Sequence, residues 1–448
     1  MSTRTPTDHA PARGSAAAKQ ARTVRAAVVV GTSLEHYDFF LFGTAAALVF
    51  NHQFFVTENP LVATLASFVT LAVGFAARPL GAIIFGHLGD TLGRRKTLIF
   101  TLVLIGCATG MIGLLPNYLQ IGVLAPILLT LLRILQGLSF GGEWAGAVTL
   151  ALEHAPKGKE SRYAVLPQLG SPIGNIMSSA AFILVGFLPH EAFSAWGWRL
   201  PFLAAFPLLL IALWIRVRLE ETPAFERVAV EQKQAKVPLA QVFRHSTPQV
   251  LIGAAVAMLS IGGFFLVTTF TISYGTGVLG LPSSVMLTGS LLAAALQIVT
   301  VFVSGALAER YGPTKVAIWA SIVCLALVVP FFLLLDTGVP ALVILAMVVM
   351  VQPMGVTYAV GGQILPSLFP TAYRYSGTAI SFNIAGMLGG FAPMIATGLL
   401  LMTDEKSWSL MIFLAVIVIT TLIGSLLASR RRAYSFREDE DVTTSPAR

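Results

Sequence analysis

The chain has 448 residues, 56% of them hydrophobic and only 11% charged, with a mean hydropathy of +0.80. Soluble domains carry about 25% charged residues, so a water-soluble globule is excluded. The net charge of +8 does not point to nucleic acid, because the basic residues lie between apolar spans and form no basic face on a soluble surface; a lipid bilayer accounts for them.

Met1 to Arg25 is polar, carries Arg4, Arg13, Lys19, Arg22 and Arg25, and lacks the apolar core and cleavage site of a secretion signal. It reads as a cytoplasmic arm that stays attached. A bilayer core about 30 Å thick needs roughly 20 mostly apolar residues per crossing helix, since no water there can satisfy the backbone. Twelve stretches qualify, near 26–50, 61–85, 97–115, 121–153, 163–188, 198–217, 248–275, 283–308, 315–335, 339–362, 376–402 and 408–429. The longest internal polar stretch, 216–247, contains Leu219-Glu220-Glu221-Thr222-Pro223 and separates six spans from six. The expected organisation is an arm at 1–25, a six-helix bundle at 26–218, a cytoplasmic linker at 219–247, a second bundle at 248–429 and a cytoplasmic tail at 430–448.

Lys and Arg accumulate on the cytoplasmic side of spans. The two tails and the loops 87–96, 154–162, 216–247, 309–315 and 363–375 hold all but four of the 29 basic residues. Arg78 and Arg133 lie within spans, and only Arg199 and Lys406 fall on the opposite side. Both termini are therefore expected in the cytoplasm, with an even number of spans.

The two halves echo one another. Gly86-His87-Leu88-Gly89-Asp90-Thr91-Leu92-Gly93-Arg94-Arg95-Lys96 follows the second span, and Gly305-Ala306-Leu307-Ala308-Glu309-Arg310-Tyr311-Gly312-Pro313-Thr314-Lys315 follows the eighth. Glycine, acid four later, glycine seven later and lysine ten later all match, and Arg162-Tyr163 is echoed by Arg374-Tyr375. Parallel six-helix repeats related by an axis along the membrane normal are a known symmetry of secondary transporters. The fold class is thus an all-α membrane protein of twelve helices in two pseudo-symmetric bundles.

The 86–96 segment resembles the signature of the major facilitator superfamily between helices 2 and 3, with Thr91 where that pattern usually has a basic residue. Leu34-Glu35-His36-Tyr37-Asp38-Phe39, Arg78-Pro79-Leu80-Gly81, Arg133-Ile134-Leu135-Gln136-Gly137 with Gly141-Gly142-Glu143, Trp198-Arg199-Leu200-Pro201-Phe202, Leu219-Glu220-Glu221-Thr222-Pro223 and Leu368-Phe369-Pro370 with Arg374-Tyr375-Ser376-Gly377 resemble its metabolite:proton symporters. The departures are His36, where a Trp is usual, and Ser367, where a Glu is usual. The resemblance implies a multi-pass protein of a bacterial inner membrane. Such relatives import small polar metabolites such as dicarboxylates, tricarboxylates, shikimate, proline or betaine, with protons.

Ionisable groups near the bilayer centre cost several kcal/mol, so they face a bundle interior, pair, and mark ion or substrate pathways. The first span holds Glu35 and Asp38, the second Arg78, the fourth Arg133 and Glu143, and spans seven to twelve hold none. Asp38 lies about 18 Å into its span and is expected to pair with Arg133; protonating the acid would then free the arginine. By resemblance, relatives use a first-helix acid with a fourth-helix arginine. The alternative is a purely structural ion pair. Glu35, i, i+3 from Asp38, is placed on the same face as a further proton-coupling acid, with Arg78 at similar depth and expected to meet it, in a substrate or coupling role or as a structural pair, and Glu143 is either a second proton site or a packing residue. His36 points about 160° away from Asp38 and is assigned to packing.

The expected substrate-binding set is Arg78, Arg133, Tyr37, Gln136, Tyr274, Gln297, Tyr358 and Asn383. The expected gating set is Gly86, Asp90, Gly93, Arg94, Arg95, Glu309 and Arg310, with a solvated turn as the alternative. Cys107 and Cys324 lack metal or redox spacing and read as packing residues. Gly137-Leu138-Ser139-Phe140-Gly141 fits a hydrolase elbow but sits inside an apolar helix rather than at a strand-to-helix turn. No ATP-binding or metalloprotease motif is present, so no enzyme activity, metal or cofactor is expected beyond the proton as coupling ion. The expected function is proton-coupled uptake of a small organic anion by a monomer. A zwitterion symporter, an exporter and a transporter-like receptor are the alternatives.

Overall fold

The computed structural model describes residues 29–431 apart from 30, 93, 141–142, 154, 156–157, 219–238 and 371–373. The expected arm, most of the expected linker and all but two residues of the expected tail lie outside these. Among the described residues every regular element is a helix, and nine helices are long and apolar enough to cross a membrane.

In chain order, α1 covers 31–53, α2 Pro60–Leu92, α3 Arg94–Ile112, α4 Leu124–Ser139 continued by Glu143–Glu153, α5 Glu160–Gly186 and α6 Gly197–Trp214. The second set is α7 Ser246–Gly277, α8 Ser283–Tyr311, α9 Pro313–Leu335, α10 Pro340–Ser367, α11 Arg374–Met402 and α12 Trp408–Ser429. The first helix of each set carries π-helical turns, Ala46–Phe50 in α1 and Leu259–Gly263 and Leu266–Phe270 in α7.

Two boundaries differ from the sequence reading. The segment 86–96 is not an open loop: α2 continues to Leu92 and α3 begins at Arg94. Helical hydrogen bonding outlasts the hydrophobic stretch, so hydropathy ends the span too early. Ahead of α7, the helix extends back to Leu239 but bends at Ser246, whose φ of −133° is non-helical. Pro248 lacks an N–H and its ring crowds the preceding turn.

Small residues let the helices touch. A Cβ on Gly137 would sit 2.0 Å from the Gly74 carbonyl oxygen, and one on Gly81 1.9 Å from that of Leu138. The α2 and α4 backbones are therefore in direct contact, the close approach that glycine permits in lipid. Between bundles, Phe40 of α1 packs on Phe264 and Phe265 of α7, at 5.7 and 6.2 Å between ring centroids. Ser290 of α8 donates to Asn175 of α5 at 3.1 Å. On the side bearing the basic loops, Arg162 meets Glu309 at 2.8 Å and Ser161 donates to Gln363 at 2.5 Å. The two bundles thus close against each other around a central space.

Candidate functional site

The central cavity, about 80 Å³, is lined from both bundles. At least about 10–15 Å³ of such space is needed to admit one water, so the cavity has room for a few waters. From α1 come Glu35, His36, Phe39 and Phe40, from α2 Phe75 and Arg78, and from α4 Phe140 and Trp144. The second bundle contributes Phe264, Phe265, Tyr358, Phe382 and Asn383. At 100° per residue, the α1 members span an arc of about 140°. Asp38 falls about 60° outside that arc, on the side away from His36.

Arg78 supplies the cation of this cavity. Its guanidinium carbon lies 4.1 Å from the ring centroids of both Phe39 and Phe75 and 5.3 Å from that of Phe140. Its Nε has no hydrogen-bond partner, and among the described residues no ion pair forms with it. A desolvated cation–π contact is worth about 2 kcal/mol, whereas burying an ion costs several kcal/mol. The Glu35 and Asp38 charges also support the cation through space, but among the described residues neither stands within ion-pair distance of it, so an anion in the cavity would add a direct contact.

Asp38 and Arg133 form a second assembly inside the first bundle. They stand 3.6 Å apart with side chains 5% and 1% exposed. Asp38 Oδ1 accepts from Gln136 Nε2 at 2.6 Å and from the Thr109 hydroxyl, while Arg133 donates to Gln136 Oε1 at 3.1 Å. Arg133 also lies over Phe42 at 4.2 Å. Gly74 makes this possible, since a Cβ there would stand 2.4 Å from Arg133 Nε. The arginine and the two neutral donors all favour the charged form of this buried acid.

The structure brings Asp38, Arg133 and Gln136 together, and places Glu35, Arg78, Tyr358 and Asn383 in the cavity. It does not place the others there. The Tyr37 hydroxyl donates to the Pro201 carbonyl at 2.7 Å, inside the first bundle. The Tyr274 hydroxyl donates to Asp336 at 2.8 Å, and Gln297 is fully buried against Gly355. Glu35 and Asp38 do not share a face: the 60° between them is enough to put one in the cavity and the other behind it.

Of the gating set, Glu309 joins the bundles and Arg310 lies 5.2 Å over Tyr311. Gly93 lies outside the described residues, and so do the side chains of Asp90, Arg94, Arg95 and Glu143; Gly86 is helical. Three contributors escaped the sequence reading. His36, assigned to packing from the sequence, faces the cavity and the Tyr358 hydroxyl at 3.2 Å. Trp144 stacks on Phe382 across the bundles at 3.7 Å and 9°. Arg162 partners Glu309, and its echo in Arg374 was the available signal.

The sequence pattern of the Major Facilitator Superfamily matches residues 28–397. The chain is 39% identical to the inner membrane metabolite transport protein YhjE of Escherichia coli (strain K12), over 92% of this chain and 95% of that protein. It is 35% identical to the shikimate transporter of the same strain, over 94% of this chain and 98% of that one. The crystal structure of a D-xylose-proton symporter matches with a TM-score of 0.68 at 15% identity, covering 93% of this chain and 98% of that one. With the helical fold and the inter-bundle cavity, these likenesses establish a multi-pass membrane transporter, not an enzyme: the chain belongs to the Major Facilitator Superfamily, among its metabolite transporters.

Proposed function

We propose that the protein is a proton-coupled symporter that takes up a small organic anion by alternating access, and that it works as a monomer. Arg78 carries this reading: a buried guanidinium, stacked on aromatic faces and without an ion-pair partner among the described residues, lines the space between the bundles. A substrate carboxylate would supply the missing charge through paired N–H donors, the geometry in which arginine excels. Asp38 is the proposed proton carrier. Protonation removes its charge and frees Arg133, whose altered field then favours rocking of the bundle proposed at 26–218 against that at 248–429. The basic loops mark the cytoplasmic side, and the Arg162–Glu309 contact closes that side when the cavity opens outward. One relative is named for shikimate, itself a carboxylate.

Glu35 lines the same cavity, and this favours one second reading, a zwitterion held between Glu35 and Arg78. Uptake into proteoliposomes under an imposed pH gradient tests both. Accumulation of labelled mono- or dicarboxylates, abolished by a proton uncoupler, is the expected result. Accumulation of betaine or proline but of no carboxylate would replace the first reading by the second.

A further inference from the structure

The His36–Tyr358 pair is used by neither the proton relay nor the carboxylate anchor, yet it lines the cavity. His36 Nδ1 lies 2.7 Å from the Thr32 carbonyl oxygen. A carbonyl only accepts, so Nδ1 carries the hydrogen, and in the neutral ring Nε2 is left as an acceptor aimed at the cavity. What faces it is the Tyr358 hydroxyl at 3.2 Å, at the long end of the range for a nitrogen–oxygen hydrogen bond, about 2.7–3.2 Å. Phenylalanine is the commonest lining residue, with Phe40 6.4 Å from the imidazole between centroids. His36 Nε2 is therefore an acceptor that is only loosely satisfied, beside phenylalanine faces, while the Tyr358 hydroxyl facing it also lies within reach of Trp144.

We propose that His36 and Tyr358 read a hydroxyl group on the transported anion, so that the preferred cargo is a hydroxycarboxylate; this rests on Arg78 as the carboxylate anchor. The substrate hydroxyl would donate to His36 Nε2 and accept from the Tyr358 hydroxyl, replacing one long hydrogen bond by two ordinary ones. The spacing constrains the cargo. Arg78 lies over Phe39, and Phe39 and His36 are i, i+3 neighbours on α1 whose Cβ atoms stand about 5–6 Å apart, so the two subsites adjoin. That distance fits a hydroxyl a few bonds from the carboxyl carbon. Because His36 belongs to α1 and Tyr358 to α10, the bridge also joins the bundles, and cargo with the hydroxyl closes the site better than cargo without it.

The test uses the purified full-length protein and pairs of acids that differ by one hydroxyl: malate and succinate, 3-hydroxybutyrate and butyrate, 3-hydroxybenzoate and benzoate. Affinities are read from ligand-induced thermal stabilisation. For at least one pair the wild-type protein should prefer the hydroxylated member by on the order of tenfold, about one net hydrogen bond. His36→Phe and Tyr358→Phe should each bring that ratio close to one by weakening the hydroxylated member. His36→Gln restores an acceptor and should recover part of the preference. Because each ratio is taken within one preparation, a loss of folded protein does not imitate the effect. Stabilisation by carboxylates without hydroxyl preference, or variants that weaken both members equally, would overturn the proposal and leave the carboxylate reading standing. Stabilisation by none of the six acids would overturn both.

Discussion

Replacing Asp38 by Asn keeps the shape of the side chain and removes its charge. Asp38 and Arg133 stand 3.6 Å apart, and at an effective dielectric of about 20 their attraction is roughly 5 kcal/mol. Losing one partner of a buried pair costs about 3–5 kcal/mol. In Asp38→Asn the stranded Arg133 keeps Gln136 and the Phe42 face, the latter worth about 2 kcal/mol when dry, so against the cost of about 3–5 kcal/mol a net loss of about 1–3 kcal/mol is expected. Removing the charge from both, in Asp38→Asn with Arg133→Gln, should recover most of that stability, because no uncompensated ion remains. Transport should not recover with it. Both the single and the double variant are expected to exchange substrate across proteoliposome membranes while failing to accumulate it under a pH gradient. Thermal unfolding in detergent gives the first quantity and gradient-driven uptake the second. Undiminished accumulation by Asp38→Asn would refute the assignment of the proton to this residue, and a double variant as unstable as the single would refute the charge argument.

Three further outcomes follow from the same geometry. Gly74→Ala places a Cβ where Arg133 Nε now lies 2.4 Å away; overpacking of about 1–3 kcal/mol is expected, with loss of gradient-driven uptake but retained carboxylate binding, measured on one preparation. Arg162→Ala should change unfolding stability by less than about 1 kcal/mol, because its side chain is 60% exposed. Its effect should instead appear as faster labelling of a cysteine introduced in the cavity from the basic side, reversed in the charge-swapped pair Arg162→Glu with Glu309→Arg. Tyr37→Phe should lose only its bond to the Pro201 carbonyl, costing about 1 kcal/mol of stability, and should leave the KM for uptake within twofold.

Much of the architecture was legible because bilayer thickness, basic-loop asymmetry and an internal repeat each leave a mark on the sequence. The Asp38–Arg133 pair was legible for a related reason: two opposite charges at matching depth in lipid-embedded helices have few other ways to be tolerated. The cavity wall was harder to read. A helical wheel fixes the 60° between Glu35 and Asp38, but only tertiary packing decides where the bundle centre lies, and it lies on the His36 side of Glu35. For the same reason Tyr37, Gln136, Tyr274 and Gln297 look like substrate ligands in sequence, yet their polar groups meet the backbone, a side chain of their own bundle or the protein interior. The Arg162–Glu309 contact joins residues from different halves, a pairing for which the repeat gave only a hint.

Central to the account is a carboxylate of the cargo resting on Arg78, and a structure of the protein with a transported anion bound tests this most directly. Carboxylate oxygens within about 3.2 Å of the Arg78 guanidinium are the predicted result, with Arg78→Met losing that density. An anion bound elsewhere, or held in place unchanged in Arg78→Met, would contradict it.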